Sequence, residues 1–163
     1  MNARARPTPG LILALDPGRR TGWAWSDGSC GTLDLSHNDD LGMLYGEFHG
    51  WLADALWARR PRLLAIERPF GRAAFTADLP LVLVGIAHML ARVFDVPRRE
   101  LTASEIKRRV AGSGRASKGD VIAAVCNDGW APDSDHAADA AACLMAWRAR
   151  EVEAAGVEVR ARA

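Results

Sequence analysis

The sequence has no long apolar run, no paired cysteines and no excess of either charge, and each absence narrows what the protein can be. The apolar segment nearest the start, LILAL at residues 11–15, is too short for the core of a signal peptide or for a membrane span, so a cytoplasmic protein with no membrane partner is expected. Cys30, Cys126 and Cys143 are odd in number and lack Cys-x-x-Cys spacing, which argues for reduced, mostly packed thiols. With 21 Lys and Arg against 20 Asp and Glu, the formal net charge is +1, so only the distribution of charge can speak for nucleic acid. Neither a repeat nor a linker divides the 163 residues, a length that suits one domain with a sizeable core. Residues 1–9 read as a flexible basic arm, 10–152 as the folded domain and 153–163 as a C-terminal tail.

Strand and helix signals alternate along this domain. LILALD reads as a buried strand, and GWAWSDG with SCGTLDL as a hairpin turning at Asp27-Gly28. From Asp40 to Arg60, Leu41, Leu44, Phe48, Trp51, Leu52, Ala55 and Leu56 share one helical face. Pro61 ends that helix, and RLLAIE is a second apolar strand. LPLVLVGIAHMLARVF is apolar nearly all round, which predicts a central helix buried on both sides, in part by a second subunit. RREL reads as a short strand. Thr102 and Glu105 form a capping box for a short helix through Val110. The basic loop GSGRASKG follows, and Ser117 and Asp120 open another helix to about Asp128. The last helix is predicted over Ser134 to Glu151. This order implies an α/β sheet covered by helices and by itself fits several folds.

Both buried strands end in a carboxylate, Asp16 and Glu67. If the strands lie parallel and adjacent, both acids reach one edge of the sheet, where α/β folds place their sites. In DSDHAADAAACLMAW, His136 and Asp139 are three residues apart and share a helical face. Ala140, Cys143, Leu144 and Trp147 would pack this helix on the sheet. Such oxygen-rich clusters suit Mg²⁺ or Mn²⁺, and two ions a few ångströms apart can activate a water and stabilise the leaving oxygen of a phosphodiester. Each residue alone has a plainer reading: Asp16 before Pro-Gly as a turn former, Glu67 beside Arg68 as half of a surface ion pair, His136 as a solvated side chain at a helix start. The conjunction of the three pieces favours the cluster.

The segments LILALDPGRRTGW, LLAIERPFGR, ELTASEIKRRVAGSGRASKGDV and DHAADAAA resemble the four signature regions of the RuvC family of Holliday-junction resolvases. The resemblance spans roughly residues 11 to 148. It implies the RNase H-like (retroviral integrase) fold, a mixed five-stranded sheet flanked by helices. It also implies metal-dependent cleavage. Asp16 and Glu67 match the strand carboxylates of the metal site, Asp139 matches the final helical carboxylate, and His136 stands where many members carry Asp. An imidazole there would make metal occupancy more pH-dependent, because only its neutral form coordinates. Phe70 matches an aromatic that lies against an unstacked base. Lys107 and Lys118 match basic residues near the scissile phosphate, where a cation offsets developing charge. No specific match covers residues 34–62, and the stretch from Ala73 to Leu81 is also unlike typical members.

Between Arg92 and Asp120 stand Arg92, Arg98, Arg99, Lys107, Arg108, Arg109, Arg115 and Lys118 against four acids. A positive segment beside an acidic site suits phosphate tracking, although a solvated helix face would look the same. The expected DNA contacts are Phe70, Arg72, Lys107, Arg108, Arg115 and Lys118. Arg19 and Arg20 could steer DNA or pair with surface acids. Trp23, Trp25, Trp51, Trp57 and Trp147 are assigned to the core, and Trp130 is left open. The expectation is a homodimeric endonuclease that uses two Mg²⁺ ions per site, with Mn²⁺ able to substitute, and resolves four-way junctions by paired nicks. A branch-migration helicase would be its partner in a cellular setting. The alternatives are a broader fork or flap nuclease of a phage or mobile element, or a catalytically weak junction-binding module.

Overall fold

The computed structural model describes residues 10–69 and 78–161. The expected N-terminal arm, 1–9, lies outside them. β1 (Ile12–Asp16), β2 (Arg20–Trp25) and β3 (Cys30–Asp34) form an antiparallel meander, followed by α1 (Leu41–Arg59), β4 (Leu63–Arg68), α2 (Asp78–Val93), β5 (Arg98–Thr102), α3 (Ala103–Ala111), α4 (Lys118–Asn127) and α5 (Asp135–Ala161). The sheet order is β3-β2-β1-β4-β5, with β1, β4 and β5 parallel. The hairpin turns at the expected Asp27-Gly28, where Gly28 adopts a φ of 98° that other residues rarely tolerate.

Strand alternation sorts the core into two layers. Leu13, Leu15, Trp25, Leu64 and Ile66 face α1 and α2 and pack with Leu44, Phe48, Leu52 and Leu56. Ile12, Ala14, Ala24, Leu63, Ala65 and Leu101 face α3, α4 and α5. Bulky side chains fill the first layer. On the second, Ala137, Ala138, Ala140, Ala141 and Ala142 of α5 are buried against the small residues of the sheet. Short side chains on both sides let this helix lie close to the strands.

Helix boundaries follow local chemistry. The Asp40 side chain accepts from the Met43 amide at the start of α1, and the expected capping boxes of Thr102–Glu105 and Ser117–Asp120 open α3 and α4. Arg60, in the left-handed conformation (φ 41°), ends α1 just before Pro61.

Two expectations need correction, the end of α5 and the placement of Trp57. α5 continues to Ala161, ten residues beyond the predicted end at Glu151, because its composition favours helix and Arg62–Glu151 and Arg109–Glu153 ion pairs tie it to the domain. Within this chain α2 is covered on one side, where Leu83, Ala87, Leu90 and Ala91 face the core, whereas Leu81, Val82, Met89 and Val93, on the side assigned to a second subunit, are 39–68% exposed. Trp57 is not a core residue; it is 57% exposed, with the Arg60 guanidinium 4.4 Å from its ring. Trp130, left open from sequence, is buried, and its Nε1 donates to Asp128. The three cysteines are free thiols, although Cys126 is exposed rather than packed.

The α1 layer leads to a stability prediction. Phe48 is fully buried among leucines. Phe48→Ala should cost about 3–5 kcal/mol, read as a lower denaturant midpoint with an unchanged slope.

Candidate active site

The same alternation that sorts the core places the acids. Asp16 follows Ile12 and Ala14, and Glu67 follows Leu63 and Ala65, on the α5 side of the sheet. Leu15 pairs with Ile66 in the parallel β1–β4 ladder, so Asp16 and Glu67 come next on neighbouring strands. The expected adjacency is therefore present.

The start of α5 is fixed on the hairpin. The Ser134 hydroxyl accepts from the Ala137 amide and lies 2.5 Å from the hydroxyl of Thr32 on β3. Gly22 of β2 is the strand partner of Asp16, and a Cβ there would lie 1.8 Å from the His136 carbonyl oxygen. The absent side chain is what allows the first turn of α5 to sit beside Asp16. His136 Nδ1 stands 3.9 Å from Asp16 Oδ2. Lys118, at the start of α4, reaches Asp139 at 3.2 Å and Asp135 at 3.4 Å. A hollow of about 260 Å³ brings Glu67, Lys107, Lys118 and Asp139 together.

Charge in this cluster is incompletely compensated. Burial, then the Asp139 charge, pushes the Asp16 carboxyl up to about 6, with His136 and Lys118 opposing. Burial, then Asp16 and Asp139, pushes Glu67 up to about 8, with Lys107 and Lys118 opposing. The acids raise the Lys118 ammonium above its ordinary value, against a desolvation that acts the other way. Beneath them lies Cys143, fully buried, its thiol raised by burial and by the charges of Glu67 and Asp16.

Among the described residues, no three His, Cys, Asp or Glu side chains form a ready-made metal-binding group. The donor set nonetheless fits a hard divalent cation. It offers hard oxygen donors and one imidazole, and the raised carboxyls mark negative charge that a cation would offset.

The sequence therefore located Asp16, Glu67, His136, Asp139, Lys107 and Lys118 in one region. Arg108 and Arg115 are exposed on α3 and in the loop before α4. Phe70 and Arg72 lie outside the described residues. Asp135 was missed, although its i, i+4 spacing to Asp139 on a helix was a usable signal. Arg20 pairs with Asp34 at 3.4 Å, and Arg19 Nη1 donates to the Asn38 carbonyl at 3.0 Å.

The raised carboxyls set the sign of a pH effect. Between about pH 4 and 8 the folded protein holds protons that the unfolded chain releases, so without metal these groups make stability fall as pH rises. Asp16→Asn should stabilise the metal-free protein at pH 8 by about 2 kcal/mol, or roughly 4–8 °C in melting temperature, and leave it unchanged near pH 4. Added Mg²⁺ should raise the melting temperature of the wild type more than that of the variant.

No family model matches the chain. It is 32% identical over 149 residues to the crossover junction endodeoxyribonuclease RuvC of Prochlorococcus marinus strain MIT 9303, covering 83% of this chain and 97% of the relative. The same enzyme of Synechococcus sp. strain CC9605 is 32% identical over 152 residues, 85% and 99% of the two chains. The fold matches a Thermus thermophilus RuvC structure with a TM-score of 0.75 at 22% identity, over 88% of this chain and 96% of that one. It also matches T. thermophilus RuvC in complex with a Holliday junction substrate, with a TM-score of 0.71 at 23% identity, over 84% and 92%. The mixed five-stranded sheet with flanking helices is thus the RNase H-like fold, as the resemblance implied. Identity of 32% to crossover junction endodeoxyribonucleases over more than four-fifths of this chain and nearly all of theirs makes the chain a member of the RuvC family.

Proposed function

We propose that this protein is a cytoplasmic, divalent-metal-dependent endonuclease that resolves four-way DNA junctions by paired symmetric nicks, acting as a homodimer. The observation that carries the reading is the convergence of Asp16, Glu67, His136 and Asp139 beside Lys118 and Lys107, in a chain that aligns with crossover junction endodeoxyribonucleases over most of its length.

Asp16, Glu67, Asp139 and His136 are the candidate ligands of two divalent ions, Mg²⁺ by preference and Mn²⁺ as a substitute. When bound, such ions supply a more acidic water and positive charge against the phosphodiester oxygens. The chain's own residues do the rest. Asp16, beside His136 and within the field of Asp139, carries negative charge that would help recruit the cations. The Lys118 ammonium, now shared by Asp135 and Asp139, is placed to turn toward a phosphate and offset charge as the bond breaks. Lys107 adds a second cation in the same hollow. Arg108 and Arg115 extend a positive track for the backbone of the branched substrate.

The dimer reading is supported by the open apolar stripe of α2. Leu81, Met89 and Val93 recur at helical spacing on the side away from the sheet. Two copies would present the two active sites that paired nicks require.

Two measurements test these proposals. A labelled immobile four-way junction in Mg²⁺, with linear duplex as competitor, should yield symmetric paired nicks that Asp16→Asn abolishes and Lys118→Ala slows about 100–1,000-fold. Binding without metal-dependent cutting would instead indicate a junction-binding module, and equal cutting of forks, flaps and junctions a broader nuclease. In sedimentation at micromolar concentration the wild type should be a dimer and Met89→Glu a monomer; a monomeric wild type would overturn the dimer.

A further inference from the structure

A second hollow, of about 450 Å³, lies on the opposite side of Asp16 from Lys118, between the β1–β2 turn, Ser36 and the start of α5. We infer that it binds the DNA backbone phosphate next to the one that is cut, with Arg19 as the positioning ligand. This inference rests on the nuclease reading and extends it to a contact on the other side of the acids.

Asp16 and His136 line this hollow, so it opens directly onto the acidic centre. The first hollow carries Lys107 and Lys118, and this one carries Arg19 and Arg20. Cations thus stand on both sides of the carboxylates. A single anion would need only one such cradle. A polyanion crossing the site would meet one before the acids and one after them.

The two arginines are not equivalent. Arg20 is engaged with Asp34. Among the described residues Arg19 makes no ion pair, and its guanidinium spends one N–H on the Asn38 carbonyl. The remaining donors keep the planar fork that suits two phosphate oxygens.

Arg19 is also held in place, which an incidental surface arginine would not require. Its own carbonyl accepts from the Leu35 amide at 2.9 Å, so the β3–α1 connection grips both its main chain and its guanidinium. That connection is anchored in turn, because the Asn38 amide group donates to Glu47 at 2.6 Å. On the other side, Thr21 is fully buried, and its hydroxyl donates to the Gly18 carbonyl at 2.8 Å while accepting from the Gly18 amide at 3.3 Å. The turn that presents Arg19 is therefore fixed before any ligand arrives.

The test measures junction binding in chelator, where the phosphodiester stays intact, across a series of salt concentrations. Arg19→Ala should weaken binding about tenfold on every sequence and lower the log–log salt slope by about one, and Arg19→Lys should restore most of that slope. Junctions carrying one neutral methylphosphonate at either phosphate beside the cleavage point locate the contact. At one of these positions, the neutral linkage should weaken wild-type binding and have no further effect on Arg19→Ala. An unchanged salt slope in Arg19→Ala, or losses that multiply at both positions, would overturn the assignment. Because no step of this test requires cutting, a failure of the nuclease reading would show separately, as intact junctions when Mg²⁺ is restored.

Discussion

Two half-buried carboxylates on neighbouring strands repel one another, and the surrounding structure is arranged around that repulsion. Asp16 and Glu67 are forced together by the parallel β1–β4 ladder, which cannot shift by one residue without turning both hydrophobic layers inside out. The core therefore holds the acids in place against their own electrostatics. Lys118, Lys107 and His136 lie close enough to lessen the repulsion and not enough to cancel it, so both carboxyls remain well above their ordinary range. A site left in that condition is poised for a cation.

The two faces of the sheet divide the labour. The α1–α2 side is built from leucines, Phe48 and Trp25, which supply bulk and hence stability. On the α5 side, alanines, Gly22 and Cys143 supply closeness alongside bulkier residues such as Leu144 and Trp147. A helix carrying candidate ligands must approach the strands to within the reach of an aspartate, and large side chains would hold it off. Bulk and close approach thereby fall largely to different layers of one sheet.

What the sequence made legible was local. Strand-ending acids, two capping boxes, the hairpin at Gly28 and the face shared by His136 and Asp139 all depend on residues a few positions apart. The misses are tertiary. Hydropathy marked α2 as apolar all round without telling which side this chain covers, and Met89 lies on the open one. Trp57 reads as core by composition, yet it lies on the outer surface of α1 beside Arg60. Whether Arg19 was a surface charge or a bordering ligand depended on a loop some nineteen residues away, at Asn38. Asp135 was missed because its place in the site depends on Lys118, seventeen residues earlier, reaching it across the fold.

Cys143 has a consequence of a different kind. Its thiol is sealed between α5 and the sheet, directly beneath Asp16 and Glu67, whereas Cys126 is exposed and Cys30 partly so. A reagent from solvent can reach it only when α5 lifts from the strands, the same movement that would part Asp139 and His136 from Asp16 and Glu67. The protein thus carries an internal clock: the rate at which this one sulfur becomes reactive counts the moments when the acidic cluster has come apart.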